Sequence, residues 1–333
     1  MDKKGGSMKS KYKAILLIIL SAFCFAFMNA FVKLSGDLPS IQKSFFRNFV
    51  AFLIAFVLLV KDRKNFHFQK GGMGESSTFG VKRPELTEGA YRQSCFVLRH
   101  PFQIEGFGYL LLRSIFGTIG ILCNFYAIDQ LVLSDASMLN KMSPFFTILF
   151  SWIFLKEKLK PFQGFAVLTA FLGSLLIIKP TLDFSDFIGS AAGLFGGICA
   201  GFAYCMVRIL GQKGMSKAFI VAFFSGFSCV VTLPFLLFDF HPMTWTQLLF
   251  LLGAGAAAAG GQFTITAAYC YAPAKEISVY DYSQIIFSTA LGFLFFSEIP
   301  DGWSFVGYAI IIAAAVGVFW YNNFYLPQKE VKS

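Results

Sequence analysis

The sequence predicts an all-α integral membrane protein: ten transmembrane helices as two inverted five-helix repeats, with both termini cytoplasmic. Three observations carry that prediction: an apolar composition, apolar runs of spanning length, and a lopsided distribution of positive charge. Of 333 residues, 56% are hydrophobic and 14% charged, whereas a soluble domain carries about a quarter charged residues. The apolar residues fall into runs of roughly 20, long enough at ~1.5 Å per residue to cross a ~30 Å hydrocarbon core. Stretches such as 14–31 and 310–320 do not alternate apolar with polar residues, which excludes a transmembrane β-barrel.

Punctuation by Gly, Pro and charge places the spans at 14–34, 42–60, 107–128, 134–155, 162–179, 187–210, 217–238, 245–268, 277–297 and 303–325. With the N-terminus inside, 21 of the 28 Lys and Arg residues lie on the inner segments. Only Lys43 and Lys179 lie on the outer ones, so the positive-inside bias sets both termini in the cytoplasm. The basic tail and first apolar run resemble a signal peptide, but the run is long and lacks a small-residue cleavage site. It is read as a retained first span in a multi-pass protein of the inner (cytoplasmic) membrane. Segment 61–106 is long, polar and rich in Gly, Ser, Glu and Arg, and reads as a cytoplasmic insertion within the first repeat.

The net charge of +10 does not imply nucleic acid, because the basic residues lie between apolar runs rather than on one soluble face. Six of the seven cysteines sit inside apolar runs, none has metal-ligand spacing, and His67, His100 and His241 are far apart. No metal or cofactor is expected. The cluster Gly193, Gly196, Gly197 lies inside a span with no Walker lysine, so ATP use is not expected either. It is a surface for close helix approach.

An internal repeat is visible. At an offset of 141, Phe154-Leu155-Lys156-Glu157 faces Phe295-Phe296-Ser297-Glu298, and Asn140 faces Asp281. At an offset of 175, Phe27, Lys33 and Gly36 face Phe202, Arg208 and Gly211. Five spans per half force the second copy (187–325) to enter the bilayer in the opposite sense to the first (14–179), the architecture of alternating-access carriers.

Specific segments then carry a family resemblance: 21–27 (Ser-Ala-Phe-Cys-Phe-Ala-Phe), Phe46-Arg47-Asn48, Leu112-Arg113-Ser114-Ile115-Phe116-Gly117, and above all 134–144 followed by Leu155-Lys156-Glu157-Lys158. They resemble the EamA branch of the drug/metabolite transporter superfamily over nearly all of the chain except 61–106. The resemblance implies a central cavity lined mainly by helices 1, 3, 4, 6, 8 and 9, and export or exchange of small metabolites. The family's second half usually carries a proline where this chain has Ile285, the counterpart of Pro144, so unequal bending of the two halves is expected.

Charges inside a span need a partner, a wet cavity or a nearby interface. Lys33, Arg47, Arg113 and Arg208 lie within about two turns of a helix end, where long side chains reach headgroups. Lys141 is deeper, beside Asn140, Ser143 and Pro144; a substrate-cavity role and helix-to-helix bonding both fit it. The candidate substrate-binding set is Asn29, Arg113, Asn140, Lys141, Tyr204, Gln262, Tyr269 and Tyr282. Asp281, the clearest intramembrane anion, is the candidate coupling residue, either as a proton carrier or in an ion pair with Lys141 or Arg113. Glu157 and Glu298 read as solvated helix ends or gate-side ion pairs.

A membrane-embedded enzyme would cluster His, Asp or Glu near one face, and a channel would show rings of one charge; neither pattern is present. The expected function is a secondary active transporter, exporter or exchanger, for a small metabolite such as an amino acid or related carboxylate, with proton coupling or exchange as its driving modes. Its partners are that substrate and the lipid bilayer. The alternative is efflux of cationic amphiphilic drugs.

Overall fold

A computed structural model describes residues 3–71, 106–130, 139–157, 160–178, 187–297 and 302–321. The greater part of the expected insertion (72–105), the front of the 134–144 motif, Lys179 and Glu298 lie outside the described residues. Among the described residues ten helices longer than a single turn run in order: α1 (Lys3–Leu34), α2 (Ser40–Gly71), α3 (Phe107–Gln130), α4 (Ser143–Leu155), α5 (Pro161–Ile178), α6 (Phe187–Gln212), α7 (Lys217–Phe238), α8 (Trp245–Tyr271), α9 (Ser283–Phe296) and α10 (Gly302–Trp320). A single helical turn, Ala274–Ile277, and a 3₁₀ stretch, Ser278–Tyr282, lead into α9. No strand occurs among the described residues.

Six of these helices are long and apolar enough to cross a membrane: those over Lys11–Leu34, Ser40–Lys61, Phe107–Ala127, Phe187–Gln212, Lys217–Phe238 and Trp245–Tyr271. Shorter apolar helices cover Ser143–Leu155, Pro161–Gly173 and Phe305–Trp320. The outer surface displays Leu16, Phe165, Phe187, Leu237, Trp245 and Leu294, among many other large apolar side chains. Water would not tolerate so extensive an apolar exterior, but lipid tails match it.

Over their described residues, the expected spans four and nine are not continuous helices. Residues 139–140 are helical, 141–142 turn, and α4 restarts at Ser143 with Pro144 in its first turn, where the missing N–H leaves no bond unmade. The second half breaks at the equivalent place without a proline, by tightening into the 3₁₀ stretch before α9. Both short helices end on a residue with left-handed backbone, Lys156 (φ 52°) and Ser297 (φ 54°), the only non-glycine residues with positive φ among those described. They too are 141 residues apart.

The packing repeats with the same logic. Helix α1 packs on α8 as α6 packs on α3; α4 packs on α6 as α9 packs on α1; α2 packs on α8 as α7 packs on α3. Helices α2 and α7 pack on each other, as do α5 and α10. Small residues permit the closest of these approaches. Ser21 Oγ donates to the Gly261 carbonyl at 3.0 Å where α1 meets α8. Gly120 and Gly196 meet where α3 crosses α6.

One pair breaks the pattern. The C-terminal ends of α6 and α8 pack together, while α1 and α3, their counterparts, have no comparable interface.

Gly201 carries the α4–α6 contact most tightly: a Cβ there would sit 2.5 Å from Phe146 Cβ and 2.9 Å from the Thr147 backbone nitrogen. Gly201→Ala is expected to cost about 1–3 kcal/mol through overpacking and to lower the melting temperature of the detergent-purified protein. Gly108→Ala, which meets open space, is the control and should not lower it.

Candidate functional site

The breaks before α4 and α9 meet at the centre of the bundle and create a polar island in an apolar interior. Lys141, held in the turn ahead of α4, extends its Nζ to Asp281 Oδ2 at 3.3 Å and to Gln284 Oε1 at 2.7 Å. In return Tyr282 donates its hydroxyl to the Lys141 carbonyl at 3.0 Å. That carbonyl stands where the chain leaves helical geometry, so the tyrosine supplies a partner that a continuous helix would have provided. Lys141 and Asp281 are 6% and 8% exposed. At that burial each charge depends on the other.

This junction forms one wall of a cavity of about 120 Å³, similar in size to the roughly 150 Å³ cavities that admit benzene. Asn29 of α1, Gly117, Gly120 and Asn124 of α3, Ala203 and Tyr204 of α6, Phe224 of α7 and Gln262 of α8 are among the residues of the other walls. Two guanidiniums enter from the sides. Arg47 from α2 is 4% exposed and places Nε 3.0 Å from the Met28 thioether sulfur. Arg113 from α3 is 3% exposed, donates Nη2–H to Gln262 Oε1 at 3.1 Å and lies over the Phe224 ring at 4.0 Å from its centroid.

Of the residues expected from sequence, Asn29, Arg113, Asn140, Lys141, Tyr204, Gln262 and Asp281 line this one cavity. Tyr269 and Tyr282 do not. Tyr269 stacks behind Tyr204, ring centroids 5.2 Å apart, and Tyr282 is fully buried with its hydroxyl turned to the junction. The expectation that Arg47 and Arg113 reach headgroups is corrected: α7 and α8 pack over α2, α6 and α7 over α3, and both side chains turn inward. Arg208 is also engaged, donating Nε–H to Glu157 at 3.3 Å and Nη1–H to the Tyr269 and Cys270 carbonyls at 3.2 Å each.

Sequence reasoning left Arg47, Asn124 and Gln284 out of the site, although all three line the cavity. For Arg47 the signal was in hand, because Phe46-Arg47-Asn48 is one of the segments carrying the family resemblance. Among the described residues no group of three or more His, Cys, Asp and Glu could hold a metal ion.

A bundle of apolar helices around a buried, charged cavity defines a multi-pass membrane transporter as the class of protein. The chain belongs to the EamA-like transporter family, whose model matches residues 94–179 and 187–320. It is 30% identical over 306 residues to the pseudopaline exporter of Pseudomonas aeruginosa, covering 91% of this chain and 95% of that one. It is 26% identical over 322 residues to human solute carrier family 35 member G1, covering 92% and 79%. With the riboflavin transporter of Vibrio cholerae it shares 28% identity over 224 residues, covering 65% and 72%. A crystal structure with 15% identity superposes with a TM-score of 0.70, covering 91% of this chain and 95% of its own, which is a likeness of fold. The protein is a transporter of this family, not an enzyme.

Removing one partner of a buried pair leaves the other charge uncompensated, at a cost of about 3–5 kcal/mol. Lys141→Met should therefore lower thermal stability strongly. Lys141→Met with Asp281→Leu should regain most of the loss, measured by unfolding of both variants in the same detergent.

Proposed function

We propose that this protein is a secondary active transporter that moves a small carboxylate-bearing metabolite, such as an amino acid or a relative of one, across the cytoplasmic membrane by alternating access. The observation that carries the substrate class is the charge of the cavity: Arg47, Arg113 and Lys141 line it against a single described carboxylate, Asp281. Substrate contacts are assigned to Asn29, Arg113, Asn140, Lys141, Tyr204 and Gln262. Tyr269 supports Tyr204, and Tyr282 supports Lys141. Asp281 is the coupling residue: protonation, or arrival of a substrate carboxylate at Lys141, separates the pair and frees the two breaks to move.

The repeated packing supports a reading of ten spans as two inverted five-helix units, 14–179 and 187–325, and the bias of Lys and Arg toward the inner segments supports both termini in the cytoplasm. In that orientation α6 and α8 end on the inner side, and α1 and α3 on the outer side. The contact between α6 and α8, through Tyr204 on Tyr269, Arg208 on two α8 carbonyls and Gly211 against Cys270, is then a closed inner gate. Its missing α1–α3 counterpart is an open outer gate. Asn29, the counterpart of Tyr204 at the 175 offset, is exposed where Tyr204 is half-buried. The inward-facing state exchanges the two interfaces, with Lys33 reaching the end of α3 as Arg208 now reaches the end of α8.

The substrate class is tested by thermal shift of the purified protein against amino acids, carboxylated metabolites and cationic amphiphiles, since a ligand preferring the folded state raises its melting point. Carboxylated compounds should stabilise the wild type and lose about tenfold or more in affinity in Lys141→Gln. Stabilisation by cationic amphiphiles alone would move the reading to drug efflux centred on Asp281.

The gate is tested at Gly211, where a Cβ would lie 2.8 Å from both Cα and Cβ of Cys270. Gly211→Val should wedge α6 from α8 and raise, several-fold, the alkylation of Cys270 by an impermeant maleimide applied to inside-out vesicles, read at that residue by mass spectrometry. Unchanged Cys270 reactivity would remove α6–α8 as the gate.

A further inference from the structure

The cavity's three cations are not equivalent, and the difference narrows the substrate beyond the carboxylate reading on which this inference rests. Lys141 is already matched by Asp281 and Gln284. Arg47 and Arg113 have no carboxylate within ion-pair distance among the described residues. Instead, Arg47 meets a thioether, a weak acceptor, and Arg113 meets a neutral amide and an aromatic face. One buried nitrogen of each guanidinium, Arg47 Nη1 and Arg113 Nε, has no hydrogen-bond partner.

Buried charge of one sign is expensive unless something of the other sign completes it. Both groups border the same cavity. With the Lys141–Asp281 pair neutral as a unit, the described walls carry two uncompensated positive charges. A guanidinium also presents its donors in a planar fork that matches an oxyanion with two oxygens.

We propose that Arg47 and Arg113 form a subsite for a dianion, so that the transported substrate carries two negative charges at this end of the cavity, as two carboxylates or one phosphate. Arg47 approaches past Met28 of α1, and Arg113 past Phe224 of α7 and Gln262 of α8. Gly117 is part of the subsite. It lies one turn beyond Arg113, and a Cβ there would collide with the Arg113 guanidinium, so its bare backbone leaves room for the charge to fold back into the cavity.

The test is titration of the purified full-length protein with dicarboxylates from malonate to adipate, each beside its monoamide, and with inorganic phosphate beside chloride, followed by thermal shift and calorimetry. At least one dianion should bind about tenfold or more tightly than its singly charged partner, the worth of one charged hydrogen-bonded contact. That advantage should vanish in Arg47→Gln and in Arg113→Gln. Gly117→Ala, which keeps both charges, should weaken the same ligand. A dicarboxylate advantage places two separate groups at the subsite, and a phosphate advantage places one. Equal affinity for dianions and their singly charged partners, no dianion binding, or an advantage that survives both arginine substitutions overturns the subsite. Lys141-dependent binding of singly charged carboxylates would leave the transport reading standing in each case. Dianion binding without flux in proteoliposomes would overturn transport while keeping the subsite.

Discussion

The fold turns on a single requirement: a lysine placed deep among apolar helices must be matched there. Lys141 meets Asp281 and Gln284 from the other half of the chain, and Tyr282 closes on the Lys141 carbonyl. The charge pair and the backbone bond both span the two interrupted segments, so the place where helical hydrogen bonding fails is also where the halves are joined. A helix break exposed to lipid would leave polar groups unsatisfied, and only a protein-lined or wet cavity tolerates one. The cavity and the breaks therefore require each other.

Around that junction the helices pack in a repeated arrangement, and small residues allow their close approach. Gly120 against Gly196 and Ser21 against Gly261 stand at equivalent crossings. Near-equivalence is what makes the one departure informative. Two related surfaces, α6 on α8 and α1 on α3, are unequal in this conformation although their sequences derive from one pattern, with Arg208 matching Lys33 and Gly211 matching Gly36. On the proposed alternating-access reading these are the two surfaces that exchange, the interface that opens on one side resembling the one that closes on the other.

Much of this was legible in the sequence because lipid is a simple solvent. It demands long apolar runs, and hydropathy marks them: among the described residues six helices are long and apolar enough to span, and shorter apolar helices cover Ser143–Leu155, Pro161–Gly173 and Phe305–Trp320. The matched ends at Glu157 and Glu298 and the pairing of Asn140 with Asp281 also pointed to the junction. What hydropathy lacks is direction. Arg47 sits close enough to a helix end to snorkel, yet α7 and α8 cover that face and its side chain turns inward. Tyr269 lies in α8 and Tyr282 in the 3₁₀ stretch ahead of α9, and neither lines the cavity. The second-half break was hidden because Ile285 replaces the proline, and a 3₁₀ stretch leaves no comparable mark in composition. Side-chain direction comes from tertiary packing, which helix periodicity in an almost wholly apolar span does not encode.

The most direct test of alternating access is double electron–electron resonance on the protein in lipid nanodiscs. One spin-label pair would sit at the C-terminal ends of α6 and α8, and a second at those of α1 and α3, each recorded with and without a stabilising ligand and across pH. The account predicts reciprocal change: whenever the α6–α8 distance lengthens, the α1–α3 distance shortens, and Asp281→Asn shifts the balance between the two. Distances that change together, or an α1–α3 separation that never closes, would contradict it.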